Sequence, residues 1–444
     1  MRKYLSFVEE IMSTAVQTDT QPYHLKVFQM ARLIGEVMLE AGAESYRVED
    51  TVRRVLSVTH FSQVEAFTTH TGITISMGNP DTVPITSVQR VSNRTYHLGK
   101  IEMANDVSRR FVGGKITVEE ATAELERIRK EPFDYKPYVY LPLCACTCGS
   151  FAIIFGGNLK DLFATLLVGF LYGVASLVIS HMRENTFFGD LLSSFLIGAA
   201  TVLFTYVIPI AEHPDIVIAG SIMPLVPGMA ITNAIRDTLR GDYLSGLART
   251  VESIITAVVI AGGAALLVNG ISASVVVPAV TEGHTPWLYD ASAGFFQPYL
   301  AVQLAASFVS AFTFCVVLKA KRKHLVFCGL LGLCCWTFYQ IFQSLGWGVF
   351  ASTFGATLVT CFPADHLAHT RKAPATVFFA ATIINLVPGY GMYKFMYYLI
   401  SQKYAVAAST GIETIEIATL VAVAIAFHYS LRHLVFAHRK GNGK

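Results

Sequence analysis

Three glutamates lie inside long apolar segments of the chain, where charged side chains are rare. Glu252 belongs to the segment 246–270, and Glu413 and Glu416 belong to the segment 409–431. An ionisable side chain within a membrane-length apolar segment is energetically costly and usually functional. Burial also favours the neutral form of a carboxyl group, so that it can exchange a proton near neutral pH. We therefore predict that Glu252 and Glu413 carry protons, with Glu416 as a neighbouring charge.

Arg249 lies one helical turn before Glu252, and this spacing leaves a second interpretation open. An ion pair between the two residues would neutralise both charges without any role in proton transfer. Glu413 has no basic residue at the same spacing, which favours the proton-carrier interpretation there.

The tetrapeptide LVPG occurs twice within apolar segments, ending at Gly228 and at Gly389. Proline lacks a backbone N–H and clashes with the preceding turn, so Pro227 and Pro388 should each interrupt a helix. A helix that restarts there presents N–H groups without intrahelical partners and a partial positive charge. We predict that the two Pro-Gly pairs bind a substrate carboxylate, as broken helices do in known secondary transporters. A packing kink satisfied by neighbouring helices is the alternative.

Polar side chains lie close to both breaks. Asn233 and Asp237 follow the first break four residues apart, on one face of a helix, and Asn385 precedes the second. We predict that these three side chains bind the remaining polar groups of the substrate. Arg236 and Arg249 are candidate charge partners.

The two LVPG motifs belong to an internal repeat. Gly228 and Gly389 are 161 positions apart (389 minus 228), and the same offset pairs Glu252 with Glu413. Apolar segments about 20 residues long suit a bilayer-spanning helix. Ten such segments fall into two sets of five: 138–156, 162–180, 189–210, 216–236, 246–270, 297–318, 324–342, 346–363, 375–397 and 409–431. An odd number of spans in each copy predicts inverted topology, a plan of secondary transporters. Duplication of a scaffold without a transport role is the alternative.

The composition agrees with a membrane protein. Of the 444 residues, 53% are hydrophobic and 15% charged, whereas about a quarter are charged in soluble domains. A net charge of +3, without a basic tract interleaved with aromatic residues, argues against a nucleic-acid partner. The run CACTC at 144–148 suggests a metal site, but small polarisable side chains also pack well in membrane helices. We favour packing and predict no metal site, no cofactor and no catalytic residue.

Lys and Arg are concentrated in alternate loops, which predicts cytoplasmic termini. The predicted fold class is a polytopic α-helical membrane protein with ten transmembrane helices in a 5+5 inverted repeat and a small α+β cytoplasmic N-terminal domain. The predicted order is a cytoplasmic domain (1–136), a first five-helix repeat (138–270), an extracytoplasmic loop (271–296), a second five-helix repeat (297–431) and a cytoplasmic tail (432–444).

The N-terminal domain combines amphipathic helices with three alternating segments that predict strands at 64–70, 72–77 and 85–91. A hydrolase site built on His60 or His70 with Thr68 and Thr69 is one interpretation. The sequence has no nucleophile elbow, metal-spaced His/Glu set or phosphate loop to support it. A gating, assembly or regulatory role is favoured.

Four stretches resemble the threonine/serine exporter family, in the fused form that joins its large and small subunits: GAESYRVEDTVRRV (42–55), THTGITISM (69–77), MPLVPGMAITNAIRDTLRGDYLSGLAR (223–249) and RKAPATVFFAATIINLVPGYGMYKFM (371–396). The resemblance extends from about Leu25 to Tyr429. It implies ten spans, a cytoplasmic N-terminal domain and export of small polar acids driven by the proton motive force. Threonine and serine are the substrates of the founding members, and some two-subunit relatives export dicarboxylates such as succinate.

These observations together predict a proton-driven exporter of small amino acids in the cell membrane. Its partners would be a small amino acid or carboxylic acid substrate, protons and the lipid bilayer. A dicarboxylate exporter, a membrane-anchored hydrolase and a passive channel are the alternatives. The sequence leaves open whether the chain forms a homo-oligomer.

Overall fold

The computed structural model describes residues 22–91, 94–130, 135–182, 186–271 and 300–441. The chain forms two compact units, one from the described residues within 1–95 and 100–131, the other from those within 96–99 and 132–444. The predicted extracytoplasmic loop 271–296 lies outside the described residues except for its first position.

The smaller unit contains helices around a three-stranded antiparallel sheet of order β1-β2-β3. Its elements are α1 (Tyr23–Glu40), α2 (Ser45–Leu56), β1 (Gln63–Thr69), β2 (Gly72–Gly78), β3 (Ile85–Arg90), α3 (Leu98–Val112), which begins in the larger unit, and α4 (Val118–Lys130). The strands lie within one residue of the predicted ones. Gly42 has a φ of 79°, a left-handed conformation that glycine allows, and it makes the turn between α1 and α2.

Alternation along β2 places the core of this unit. Ile73, Ile75 and Met77 are buried, whereas the residues between them face outward in part. Ile75 pairs with Ala66 of β1, which is also buried. Ile73 also lies against Gly35 of α1, where a side chain would collide with its Cδ1 atom. The helices therefore cover one face of the sheet.

The larger unit is helical. Its first half contains α5 (Pro137–Ile154), α6 (Leu159–Met182), α7 (Thr186–Val202), α8 (Pro214–Ile222), α9 (Gly228–Leu239) and α10 (Tyr243–Ile271). Its second half contains α11 (Leu300–Val317), α12 (Leu325–Ser344), α13 (Val349–Thr370), α14 (Ala375–Ile383), α15 (Gly389–Ile400) and α16 (Tyr404–Gly441). A π-helical turn, Leu203–Val207, follows α7.

Within the described residues, seven helices are long and apolar enough to cross a membrane. Three of the ten predicted spans are absent from that set. The segments 216–236 and 375–397 are each divided into two short helices. The segment 346–363 lies in α13, whose last turns carry Asp365 and His369. The structure thus supports a polytopic helical membrane protein.

The first helices of the two halves pack against each other. Thr147 of α5 donates a hydrogen bond of 2.9 Å to Thr313 of α11, and the rings of Phe151 and Phe314 meet edge to face at 6.2 Å. On its other side, α5 packs closely on α6, where a Cβ added to Gly169 would lie 2.8 Å from the Cys148 sulfur. The CACTC run therefore contributes to helix packing.

Candidate functional site

Both LVPG motifs interrupt a helix, as predicted. Helix α8 ends at Ile222 and α9 begins at Gly228, while α14 ends at Ile383 and α15 begins at Gly389. The proline directly precedes the first residue of each restarted helix, with φ −78° and ψ 37° at the first break and φ −79° and ψ 47° at the second. Each break thus lies next to a proline, which has no backbone N–H to donate to the preceding helical turn.

The two turns share one backbone conformation. The Leu225 N–H donates to the Ile222 carbonyl at 2.8 Å, and the Leu386 N–H donates to the Ile383 carbonyl at the same distance. The N–H of each LVPG glycine then donates to the valine carbonyl two residues earlier, at 2.9 and 2.8 Å. Identical tetrapeptides have therefore folded in the same way in the two halves.

The breaks also lie in contact with each other. A Cβ added to Gly228 would stand 3.1 Å from the backbone N and Cα of Gly389 and would collide with a methyl group of Val387. A Cβ added to Gly389 would lie 3.4 Å from the Val226 side chain. Glycine at both positions lets the two turns approach this closely. The first residues of α9 and α15 consequently converge on one place in the protein.

Asn385 attaches the second break to the surrounding helices. Its side-chain amide donates to the carbonyls of Ser307 at 3.1 Å and Gly332 at 3.4 Å, and its oxygen accepts a hydrogen bond of 2.6 Å from Ser310. Both amide protons and one oxygen lone pair are thereby used within the protein. These contacts fix the position of the second break, while the predicted role of Asn385 in substrate binding stays a prediction.

The polar residues after the first break are buried. Asn233, Arg236 and Asp237 are 5%, 3% and 1% exposed, respectively. Asp237 forms an ion pair with Arg249 of α10, with 3.1 Å between the carboxylate Oδ2 and the guanidinium Nε. Arg249 thus has a carboxylate partner on the preceding helix. Helices α9 and α10 are joined by this buried pair.

Glu252 has a second carboxylate in its surroundings. Helices α7 and α10 pack closely, since a Cβ on Gly198 would lie 3.0 Å from the Ala264 carbonyl oxygen. Across this interface the charge of Glu252 acts on Asp190 of α7, and both side chains are half-buried. Sequence reasoning missed Asp190, although it is a lone carboxylate at the start of an apolar segment.

Glu413 has a cation in its surroundings that the sequence did not reveal. Lys394 of α15 is 6% exposed, and its ammonium group lies 5.3 Å from the centre of the Tyr390 ring. The charges of Glu413 and Asp215 both act on this ammonium group. Glu416, the predicted neighbouring charge, is exposed. The signal for Lys394 was present, because it is a lysine within an apolar segment, but only the packing of α15 on α16 brings it near Glu413.

Two family models match the chain. The first, described as "Putative threonine/serine exporter", covers residues 29–269. The second, described as "Threonine/Serine exporter, ThrE", covers residues 303–431. The chain belongs to the threonine/serine exporter family. The domains described by both family models occur in this one chain, which confirms the fused form.

Two individual relatives of this exporter match most of its length, and a third matches about half. A "Threonine/serine exporter" of Corynebacterium glutamicum is 22% identical over 410 residues, which is 91% of this chain and 80% of the relative. A "Probable threonine/serine exporter" of Mycobacterium tuberculosis is 22% identical over 377 residues, 83% of this chain and 69% of the relative. A "Probable succinate transporter subunit YjjP" of Klebsiella aerogenes is 20% identical over 220 residues, 49% of this chain and 84% of the relative. No solved structure matches the chain.

Family membership decides between the classes of function. The family consists of exporters, so the interpretation of this exporter as a membrane-anchored hydrolase is wrong. Together with the seven apolar helices, membership makes the chain a multi-pass protein of the plasma membrane.

Proposed function

We propose that this protein exports small amino acids, such as threonine and serine, in exchange for protons that enter down the proton motive force. The names of the two longest-matching relatives support the substrate class. The contact between Gly228 and Gly389 is the observation that carries the mechanism, because it brings two helix starts to one place.

The proposed architecture has ten spans in two inverted halves of five. Matched element lengths support it: α8 and α14 have 9 residues each, and α9 and α15 have 12 each. Each pair of short helices would form one broken span. Both termini would face the cytoplasm, with residues 1–136 forming the cytoplasmic domain.

The substrate carboxylate would bind between the two breaks. The first N–H groups of α9 and α15 lack partners one turn back within their own helices, and each helix start carries a partial positive charge. Because the two helix starts converge at Gly228 and Gly389, the partial positive charges of both helices act on a substrate group bound there. Pro227 and Pro388 would keep each helix from continuing through it. Asn233 and Asp237, buried on α9, are the proposed side chains for the amino and hydroxyl groups.

The two candidate proton carriers have different surroundings. Glu252 lies near the carboxylate of Asp190, whereas Glu413 lies near the ammonium group of Lys394. Two carboxylates in an apolar interface repel each other when both are charged, which favours a proton on one of them. We propose that Glu252 with Asp190 holds the transported proton, and that Glu413 exchanges its proton as Lys394 changes partner between Glu413 and Asp215.

Export of a dicarboxylate such as succinate is the second candidate. The relative named as a succinate transporter subunit supports it, over about half of this chain. A second carboxylate on the substrate would need a second positive group. Lys394, five residues after Gly389 and buried, is the proposed residue for that role.

Transport by the purified wild-type protein tests these proposals. Liposomes containing the protein and loaded with labelled threonine are diluted into a buffer more acidic than the lumen. We expect efflux to accelerate, and a protonophore to remove the acceleration by collapsing the gradient. Efflux that does not respond to the gradient would identify a passive channel. Inhibition by succinate but not by serine would favour the dicarboxylate alternative.

A further inference from the structure

A charged cluster that the proposed substrate site does not use connects α13 and α16. Arg432 of α16 donates a hydrogen bond of 2.8 Å to Asp365 of α13, and its second nitrogen lies 2.6 Å from Nε2 of His369. Nδ1 of His369 lies 2.9 Å from the backbone carbonyl of Asp365. A carbonyl and a guanidinium at the two ring nitrogens require a proton on Nδ1 and a lone pair on Nε2. Arg432 thus connects α16 to two side chains of α13.

His428 lies beside this cluster and is only 2% exposed. Its ring is enclosed by aromatic side chains, with Phe362 edge to face at 4.7 Å and Phe379 at 6.0 Å. Among the described residues, neither ring nitrogen has a hydrogen-bond partner. The Nε2 atom lies 3.9 Å from Oδ2 of Asp365, beyond hydrogen-bond distance. A buried polar group left in this state requires an explanation.

We propose that His428 is a proton-binding residue of the transport cycle, with Asp365 as its counter-ion. The proposal rests on the proposed proton-coupled function and adds a site to it. Imidazole is the side chain whose charge ordinarily changes between about pH 5 and 8. Protonated His428 would donate from Nε2 to the Asp365 carboxylate, which requires the two atoms to approach by about 1 Å. The described arrangement is the neutral state, in which Asp365 is held by Arg432.

The surroundings of His428 allow this exchange of partners. Helix α13 contributes Asp365 and His369, and α16 itself contributes Arg432 and Tyr429. Helix α14 contributes Phe379, which carries no charge.

Three further cations belong to neighbouring helices or their ends. Directly after α9, the Arg240 guanidinium lies 5.4 Å from the centre of the Tyr429 ring, and the charge of Arg236 of α9 acts on Cys361, one turn before Asp365. Lys394 of α15 is close to Glu413, which precedes His428 by 15 residues, or about 22 Å of helix. Asp365 is thus the carboxylate that faces the ring.

The contact with Phe379 connects this proton site to the substrate site. Phe379 belongs to α14, the short helix that leads into the second break. Movement of the His428 ring towards Asp365 would change its packing on Phe379 and so the position of α14. In the proposed orientation, this end of α13 and α16 faces the cytoplasm. His428 would then release the transported proton to the cytoplasm after substrate has entered the site.

Hydrogen–deuterium exchange at the C2 position of histidine tests the proton site in the unmodified protein. Mass spectrometry reads each histidine separately across a range of pH, with and without threonine. We expect the measurement to detect protonation of His428, with a midpoint that shifts when threonine binds, since proton and substrate binding are linked. His366, an exposed neighbour of Asp365, should show no response to threonine. Absence of protonation of His428 at every pH at which the protein stays folded would overturn the proposal, whatever the variants do.

Transport by His428→Gln separates this inference from the general function. We expect gradient-driven efflux to fall by about tenfold or more, and threonine counterflow without a gradient to be retained, because glutamine cannot take up the proton. His366→Gln is the matched control and should transport as the wild type does. Gradient-driven efflux at the wild-type rate in His428→Gln would refute the role of His428 alone. Loss of the gradient response in the wild type would instead refute the proposed function.

Discussion

Gly228 and Gly389 lie in contact, although 161 positions separate them in the chain (389 minus 228). Each is the first residue of a helix that restarts after a Pro-Gly break. The contact therefore joins the first residues of two helices that follow the same tetrapeptide. It makes the two breaks one composite feature of the fold.

Substitution of Gly228 by alanine should impair transport by about tenfold or more, because overpacking at such a contact costs about 1–3 kcal/mol and separates the two helix starts. The measurement is threonine counterflow in liposomes. Gly262→Ala is the control, since a Cβ there would meet no atom within 4 Å. Wild-type counterflow by Gly228→Ala would exclude a substrate site that depends on this contact.

Removal of one partner of the Asp237–Arg249 pair should strongly destabilise the larger unit. Both side chains are nearly inaccessible, at 1% and 5% exposure, so Asp237→Asn would remove one charge of a buried ion pair, at a cost of about 3–5 kcal/mol. The double variant Asp237→Asn with Arg249→Met should recover much of that loss. Unfolding temperatures in detergent measure both effects.

An exposed ion pair provides the comparison for that experiment. Lys160 and Glu212 lie 2.6 Å apart, and both are largely accessible to solvent. The hydrogen bond from Lys160 holds the pKa of the Glu212 carboxyl below its usual range. Glu212→Gln should nevertheless leave the unfolding temperature almost unchanged, because exposed pairs contribute little. If Asp237→Asn and Glu212→Gln lowered the unfolding temperature equally, burial would not explain the strength of the Asp237–Arg249 pair.

Asn385 should affect stability and transport rate more than substrate affinity. Asn385→Asp removes the donors to Ser307 and Gly332 and should cost about 1–3 kcal/mol, because two buried carbonyls lose a partner. Ser310→Ala removes the hydroxyl contacts to Asn385 Oδ1 and to the Ser307 carbonyl but keeps both amide donors of Asn385, and it should have a smaller effect in the same direction. The measurements are the unfolding temperature and the substrate concentration at half-maximal counterflow. A raised half-maximal concentration at unchanged stability would restore Asn385 as a substrate ligand.

Glu413 and Lys394 should behave as a coupled pair. Glu413→Gln should abolish gradient-driven efflux and spare counterflow, because a neutral amide cannot exchange the proton. Lys394→Met should lower stability, since it leaves the carboxylates of Glu413 and Asp215 without their shared cation. The double variant should be more stable than Lys394→Met alone. Additive losses in the double variant would show that the two side chains act independently.

The sequence predicted many local features correctly. Pro227 and Pro388 interrupt their helices because the missing N–H and the ring clash act within a single turn, whatever surrounds them. The strands near Ile75 followed from alternation of apolar and polar residues for a similarly local reason. The contacts of Asn385 could not be predicted from the sequence, because a buried amide looks the same in sequence whether it binds a ligand or a neighbouring helix.

The ion partners could not be derived from spacing. Asp237 and Arg249 form an ion pair although they belong to two different helices. Lys394 and Glu413 likewise come from different helices. Helical spacing reports which residues share a face, whereas the choice among partners depends on which faces meet.

By itself, the sequence determined that this chain is a multi-pass helical membrane protein, with two Pro-Gly breaks and carboxylates in its apolar segments. These properties depend on composition and on the covalent structure of proline, so no tertiary contact is needed to specify them. Tertiary structure alone decided that Gly228 meets Gly389 and that His428 faces Asp365. Such contacts depend on how complete helices pack, which is set by all of their side chains together.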